Sequence, residues 1–245
     1  MRRQCLGGLA FVILAALAGQ SRADNWPQWR GPGFNGISKE KNIPTTWSNN
    51  ENVLWRMPLP GPGGATPVVW NDKIFVTSVT ESGDLVLICA GTDGKEKWRQ
   101  KVAEGNRSVR GDEGNIASPS PCTDGKHVWA MMGTGDVACY DFSGKLAWSA
   151  KLQERYGKKG KFDIAFGMSS SPVLHEDRLY FQLIHGEGNP ETREAVVVAL
   201  NKSTGEEIWV HDRESDRRGE TEHSYASPIL SADGKLSLLI KPDAD

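Results

Sequence analysis

The chain repeats itself, and the repeat constrains its fold more than any other feature. A small residue, Ser/Thr-Pro, an apolar stretch, a polar turn and a second apolar stretch recur in four places. The copies are ATPVVWNDKIFV (65–76), ASPSPCTDGKHVWA (117–130), SSPVLHEDRLYF (170–181) and ASPILSADGKLSLL (226–239). Aligned on Pro67, Pro119, Pro172 and Pro228, they are 52, 53 and 56 residues apart. A second unit follows the first three copies: an apolar run, a Gly turn and a run ending in Trp. It reads LICAGTDGKEKW (87–98), VACYDFSGKLAW (137–148) and VVALNKSTGEEIW (197–209). Gly94, Gly144 and Gly205 each precede Trp98, Trp148 and Trp209 by four residues.

Each unit therefore holds four strands. Pro opens the first, where its missing N–H breaks no ladder bond. The second covers Ile74–Thr77, Val128–Met131 and Leu179–Leu183. The third is the apolar run, and a tight turn needing positive φ leads to the Trp-bearing fourth. Four antiparallel strands per unit of about 50 residues is the signature of β-propeller blades. A β-sandwich with coincidental Ser-Pro turns does not account for three in-phase Gly-x3-Trp units. A high turn content, with 27 Gly and 13 Pro, agrees with many short strands. A large flat side chain at one site in every blade can bury the seam with its neighbour, so Trp98, Trp148 and Trp209 are expected to be structural seam residues.

The Gly-x3-Trp unit, preceded by Ala138-Cys139-Tyr140-Asp141 and Ala199-Leu200-Asn201, resembles the pyrroloquinoline-quinone (PQQ)-type propeller repeat over residues 53–245. The stretches Asn25-Trp26-Pro27-Gln28-Trp29-Arg30-Gly31-Pro32 and Asn52-Val53-Leu54-Trp55-Arg56 are similar to the openings of exported bacterial proteins built from this repeat. In that family the second stretch is a fourth-type strand that completes the last blade of the ring. The family includes quinone-dependent alcohol dehydrogenases and a propeller scaffold of the outer-membrane barrel-assembly machinery. The resemblance implies an all-β propeller, here apparently incomplete. About three full blades, part of a fourth and a closing strand are present, and no Gly-x3-Trp unit follows Ala226. The expectation is the N-terminal half of a larger ring: a fragment, a truncated gene, or half of an oligomer completed by self-association.

Residues 1–23 read as a secretory signal. Arg2 and Arg3 precede an apolar run at 5–18, and Ser21 and Ala23 are the small residues of a cleavage site. The run is short for a membrane anchor. Residues 24–52 form a leader and 53–245 the partial propeller. Loss of the signal removes three Arg and no acid, taking the net charge from −2 to −5. Without a positive field, nucleic acid is not an expected partner. No later segment has the length of a membrane span, and the expected location is periplasmic or secreted. Cys89, Cys122 and Cys139 are an odd set, and two of them sit in apolar strand patterns, as buried thiols do.

No catalytic, cofactor-binding or metal-binding residue emerges. The quinone enzymes carry a calcium, a catalytic Asp and often an adjacent Cys pair. This chain has no Cys-Cys pair and no acid cluster with ligand spacing. The polar connections 99–116, 149–168 and 210–225 would all lie on one face, around the mouth of the central channel, where per-repeat insertions often bind. Candidate mouth or loop residues are Arg110, Asp112, Asn115, Ser169, Arg217 and His223. The expected function is a non-catalytic binding or scaffold module for an envelope protein or surface component, with no cofactor. The alternative is half of a PQQ- and calcium-dependent dehydrogenase whose site lies in further blades.

Overall fold

The computed structural model describes residues 24–41, 43–105, 116–157, 162, 167–185, 195–213, 223–230 and 236–237. The first sheet is β1 (Val68–Trp70), β2 (Lys73–Val79), β3 (Asp84–Gly91) and β4 (Glu96–Glu104), in that spatial order. The second repeats it with β5 (Cys122–Thr123), β6 (His127–Met131), β7 (Asp136–Asp141) and β8 (Leu146–Lys151). A one-turn helix α1 (Leu152–Tyr156) follows β8. In the third, β9 (Val173–His175) and β13 (His223–Ser224) share the inner edge of β10 (Arg178–His185), followed outward by β11 (Ala195–Asn201) and β12 (Glu207–Asp212). A pair, β14 (Ile229–Leu230) and β15 (Leu236–Ser237), begins a fourth sheet. All strand pairs are antiparallel, and the described sheets form propeller blades that do not close into a ring.

The outer strands run further than their sequence suggests. They end at Glu104, Lys151 and Asp212 because each keeps pairing with the third strand, so the connections expected from Arg99, Ser149 and Val210 begin later.

Period-2 alternation divides each central strand between two seams. Val128, Ala130, Ala138 and Tyr140 face the first blade, where they meet Val68, Phe75, Leu85, Leu87 and Cys89. Cys122, Trp129, Met131, Val137 and Cys139 face the third blade, against Leu179, Phe181, Leu183, Val196 and Val198. The core therefore lies between the blades.

The Trp of a hairpin covers the Gly of the next blade at the two seams between the first three blades, and Trp55 does the same for the first blade. Trp98 lies over Gly144, and its indole N–H donates to the Phe142 carbonyl at 3.1 Å. Trp148 lies over Gly205 and donates to the Lys202 carbonyl at 2.9 Å. Trp55, in the extended stretch before the first blade, lies over Gly94 and donates to the Thr92 carbonyl at 2.8 Å. A Cβ on Gly205 would stand 2.6 Å from the Trp148 ring, and its φ of +71° also favours glycine. A bulge opposite the hairpin recurs beside Cys89, Cys139 and Ala199, the residues that pair with the three Trp. Trp209 contacts Tyr180 and His211 of its own sheet, with ring centroids at 6.0 and 5.0 Å.

The second seam has further ties. The Lys202 carbonyl also accepts the Trp129 indole N–H at 2.9 Å, and Lys202 Nζ meets Asp124 at 3.0 Å. Burial raises the Asp124 carboxyl, but the His127 and Lys126 backbone N–H groups and the Lys202 ammonium outweigh it and hold the group below its ordinary value.

Inner strands are joined by hydroxyls. The Thr66 N–H donates to Ser120 Oγ at 2.9 Å, the Ser120 N–H to Ser171 Oγ at 3.0 Å and the Ser171 N–H to Ser227 Oγ at 2.8 Å. This ladder makes Ser120-Pro121 the repeat equivalent of Thr66-Pro67, correcting the alignment on Pro119. The strand register agrees: Val68 pairs with Phe75, Cys122 with Trp129 and Val173 with Tyr180.

On the face of the β1–β2 turns, the leader crosses all three blades. Trp26 and Val69 exchange two backbone bonds of 2.9 Å, the Thr123 N–H donates to the Pro27 carbonyl at 2.9 Å, and Phe34 meets His175 edge-on at 6.3 Å.

Three outcomes are expected. Trp148→Ala should lower unfolding free energy by about 3–5 kcal/mol, and Gly205→Ala by about 1–3 kcal/mol, in denaturant melts. Asp124→Asn should cost about 1 kcal/mol at neutral pH after solvent screening. Because the folded pKa is lowered, that difference should close as pH falls below about 4. Cys89, Cys122 and Cys139 are buried free thiols, and burial pushes Cys89 to about 11, Cys139 to about 12 and Cys122 higher still. At pH 8 all three should resist alkylation until denaturant is added, as read by peptide mass spectrometry.

Candidate functional site

The hydroxyl ladder fixes the phase of the segments that enter each blade. Two residues before Thr66, Ser120, Ser171 and Ser227 stand Gly64, Ser118, Ser169 and Tyr225. Ser118 and Ser169 are half-buried between buried neighbours, and Tyr225 is 40% exposed next to buried Ser224. At the loop-bearing face, the mouth of the blades, these positions alternate with buried neighbours.

Behind them, the entering segment is tied to the second strand of the preceding blade or to the turn that follows it. Thr77 Oγ1 donates to the Ala117 carbonyl at 3.1 Å. The Met168 N–H donates to the Gly133 carbonyl at 2.8 Å. Gln182 Nε2 donates to Ser224 Oγ at 2.8 Å. The mouth positions thus rest on buried, hydrogen-bonded backbone, which holds them in one geometry.

His223 opens β13 and pairs with His185 at the end of β10. Their rings are 6.1 Å apart; His223 stacks on Tyr225 at 6.2 Å and 6°, and His185 meets Tyr225 edge-on at 6.1 Å. Fully buried Gln182 lies beside them. The third blade therefore presents an aromatic and amide cluster where the second has Ser169 and the buried Met131.

Ser169 and His223 both lie in blade-entry segments, at different depths. His223 is four residues before its ladder serine, and Ser169 is two before its own. Arg110, Asp112, Asn115 and Arg217 lie outside the described residues. Trp98 and Trp148 are half-buried on the seams, and Trp209 is half-buried on its own sheet. Sequence reasoning passed over Ser118, Tyr225, His185 and Gln182. Aligning the repeats on Pro121 exposes the first two; the others follow only from the β10–β13 pairing.

The described mouth does not fit a calcium–quinone pair. Its donors are hydroxyls, an amide and imidazoles, whereas calcium calls for several carboxylate and carbonyl oxygens. Among the described residues no three His, Cys, Asp or Glu side chains converge as metal ligands.

Among known proteins, residues 112–239 match the family described as "Outer membrane protein assembly factor BamB", just over half of the chain. No curated protein matches. Of solved structures, a quinohemoprotein alcohol dehydrogenase from Comamonas testosteroni is 18% identical over 80% of this chain and 28% of its own, with a TM-score of 0.54. At that identity the likeness shows the propeller fold alone. BamB from Moraxella catarrhalis is 19% identical over 65% of this chain and 54% of its own, with a TM-score of 0.38, on which no argument rests. The chain thus spans 28% and 54% of the lengths of these two structures.

Cysteines placed at Ser118 and Ser169 should react with a maleimide in the native protein about tenfold faster or more than cysteines at Ser120 and Ser171. Equal rates would place the two sets at one depth.

Proposed function

The chain belongs to the family described as outer membrane protein assembly factor BamB, and from that premise we propose that it is an exported, non-catalytic propeller that binds a protein partner in the cell envelope. The observation that carries this reading is the mouth, where successive blades offer the uncharged polar residues Ser118, Ser169 and Tyr225 on a hydroxyl-bonded ladder. Polar groups on hydrogen-bonded backbone suit an extended polypeptide, whose own backbone offers donors and acceptors to pair with them. The leader covers the opposite face through Trp26, Pro27 and Phe34. Export is supported by Arg2, Arg3 and the apolar run at 5–18. No helix among the described residues is long and apolar enough to cross a membrane. The family's printed role, assembly of outer membrane proteins, supplies the class of partner.

A photo-crosslinking residue at Ser169 or Tyr225, in cells, tests the reading. Adducts with envelope proteins are expected from these positions and not from Lys126, an exposed residue on the opposite face. Equal labelling from both faces would contradict it. So would dye-linked alcohol oxidation on adding the quinone and calcium, which would favour a dehydrogenase.

A further inference from the structure

One hairpin turn occurs twice with different outcomes. In Ser82-Gly83-Asp84 and Thr134-Gly135-Asp136, the hydroxyl donates to the carboxylate that opens the third strand. The backbone closes alike, with the Thr80 N–H on the Asp84 carbonyl at 2.8 Å and the Met132 N–H on the Asp136 carbonyl at 2.9 Å. In the first blade the carboxylate has a cation: Lys101 Nζ lies 2.7 Å from Asp84. In the second blade Lys151 pairs with Asp136 across the strands, but its ammonium turns to Glu154 at 3.0 Å. Among the described residues, no cationic group lies within ion-pair distance of Asp136.

Asp136 faces a cleft of about 530 Å³ at the seam of the first two blades, within the range of small-molecule sites. Val102 of β4 forms one wall, and Ser149, Ala150 and Lys151 of β8 another; Glu154 and Arg155 of α1 close the end. The walls are fixed. Leu152 and Tyr156 anchor α1 in the core, Gln153 Nε2 donates to the Thr134 carbonyl at 2.6 Å, and Arg155 Nη1 donates to the Gly205 carbonyl at 2.7 Å. Arg155 is thereby turned toward the third blade, and Lys151 and Glu154 balance each other. Asp136 is half-buried, and burial raises its carboxyl above the ordinary value.

We propose that this cleft binds an alkylammonium group, such as a lysine side chain, with Asp136 as its counter-ion and the apolar surface of Val102 and Ala150 against its methylenes. An organic cation fits better than a metal ion, because no three ligating side chains converge among the described residues. The site is separate from the mouth and does not depend on it.

The test titrates the full chain with Nα-acetyl-lysine N-methylamide and follows backbone amides by NMR. Saturable shifts are expected at Asp136, Ser149 and Lys151, and none with the same probe acetylated on its side-chain nitrogen. Asp136→Asn should weaken binding tenfold or more, and Asp84→Asn should leave it unchanged. Ser149→Trp, at the exposed rim, should block the cleft and serves if Asp136→Asn fails to fold. The absence of saturable shifts, or an equal response from Asp136→Asn or the acetylated probe, would overturn the proposal.

Discussion

The seams of this propeller are held by an indole laid on a glycine of the following blade, as Trp55, Trp98 and Trp148 show. The contact does three things at once. It buries a large apolar face, satisfies the indole N–H on a turn carbonyl, and requires a residue without a side chain on the receiving turn. Because donor and receiver sit four residues apart in every hairpin, one local motif both covers the following blade and receives the preceding one. The seam clusters around Phe75 and Tyr140, and around Trp129 and Phe181, fill the space this docking defines. An isolated four-stranded sheet would expose both apolar faces, so a blade gains its stability from its neighbours.

Much of this architecture is legible in the sequence because it repeats. The Gly-x3-Trp spacing and the Ser/Thr-Pro starts show the strand count and the blade period. They do not show which Gly each Trp meets, since the partner lies about fifty residues away. Nor does spacing choose between Ser118-Pro119 and Ser120-Pro121, two overlapping copies of one signal. The hydroxyl ladder through Ser120 decides it, and the decision puts Ser118 and Tyr225 in phase with Ser169. Helix α1 departs from the repeat altogether, and a five-residue segment carries too little periodicity to announce itself.

The two faces of the blades differ in kind. One is strapped by the leader, which pairs with Val69, bonds Thr123 and reaches His175. The other carries the blade entries, with Ser118 and Ser169 in two of them and Tyr225 in the next. Repetition makes the scaffold and departure from it makes the surface. The same contrast separates Asp84, neutralised by Lys101, from Asp136, left facing a cleft. The proposed recognition of another polypeptide rests on membership in an assembly-factor family and on the polar blade entries.

Hydrogen exchange of the indole N–H protons, read by NMR, tests the docking of blades most directly. Trp98 and Trp148 should be protected to the level of the central strand amides, since opening either bond requires the seam to part. Trp47, which is 71% exposed, supplies the unprotected reference. Exchange of Trp98 and Trp148 at the rate of Trp47 would contradict the view that indole-on-glycine contacts hold the blades together.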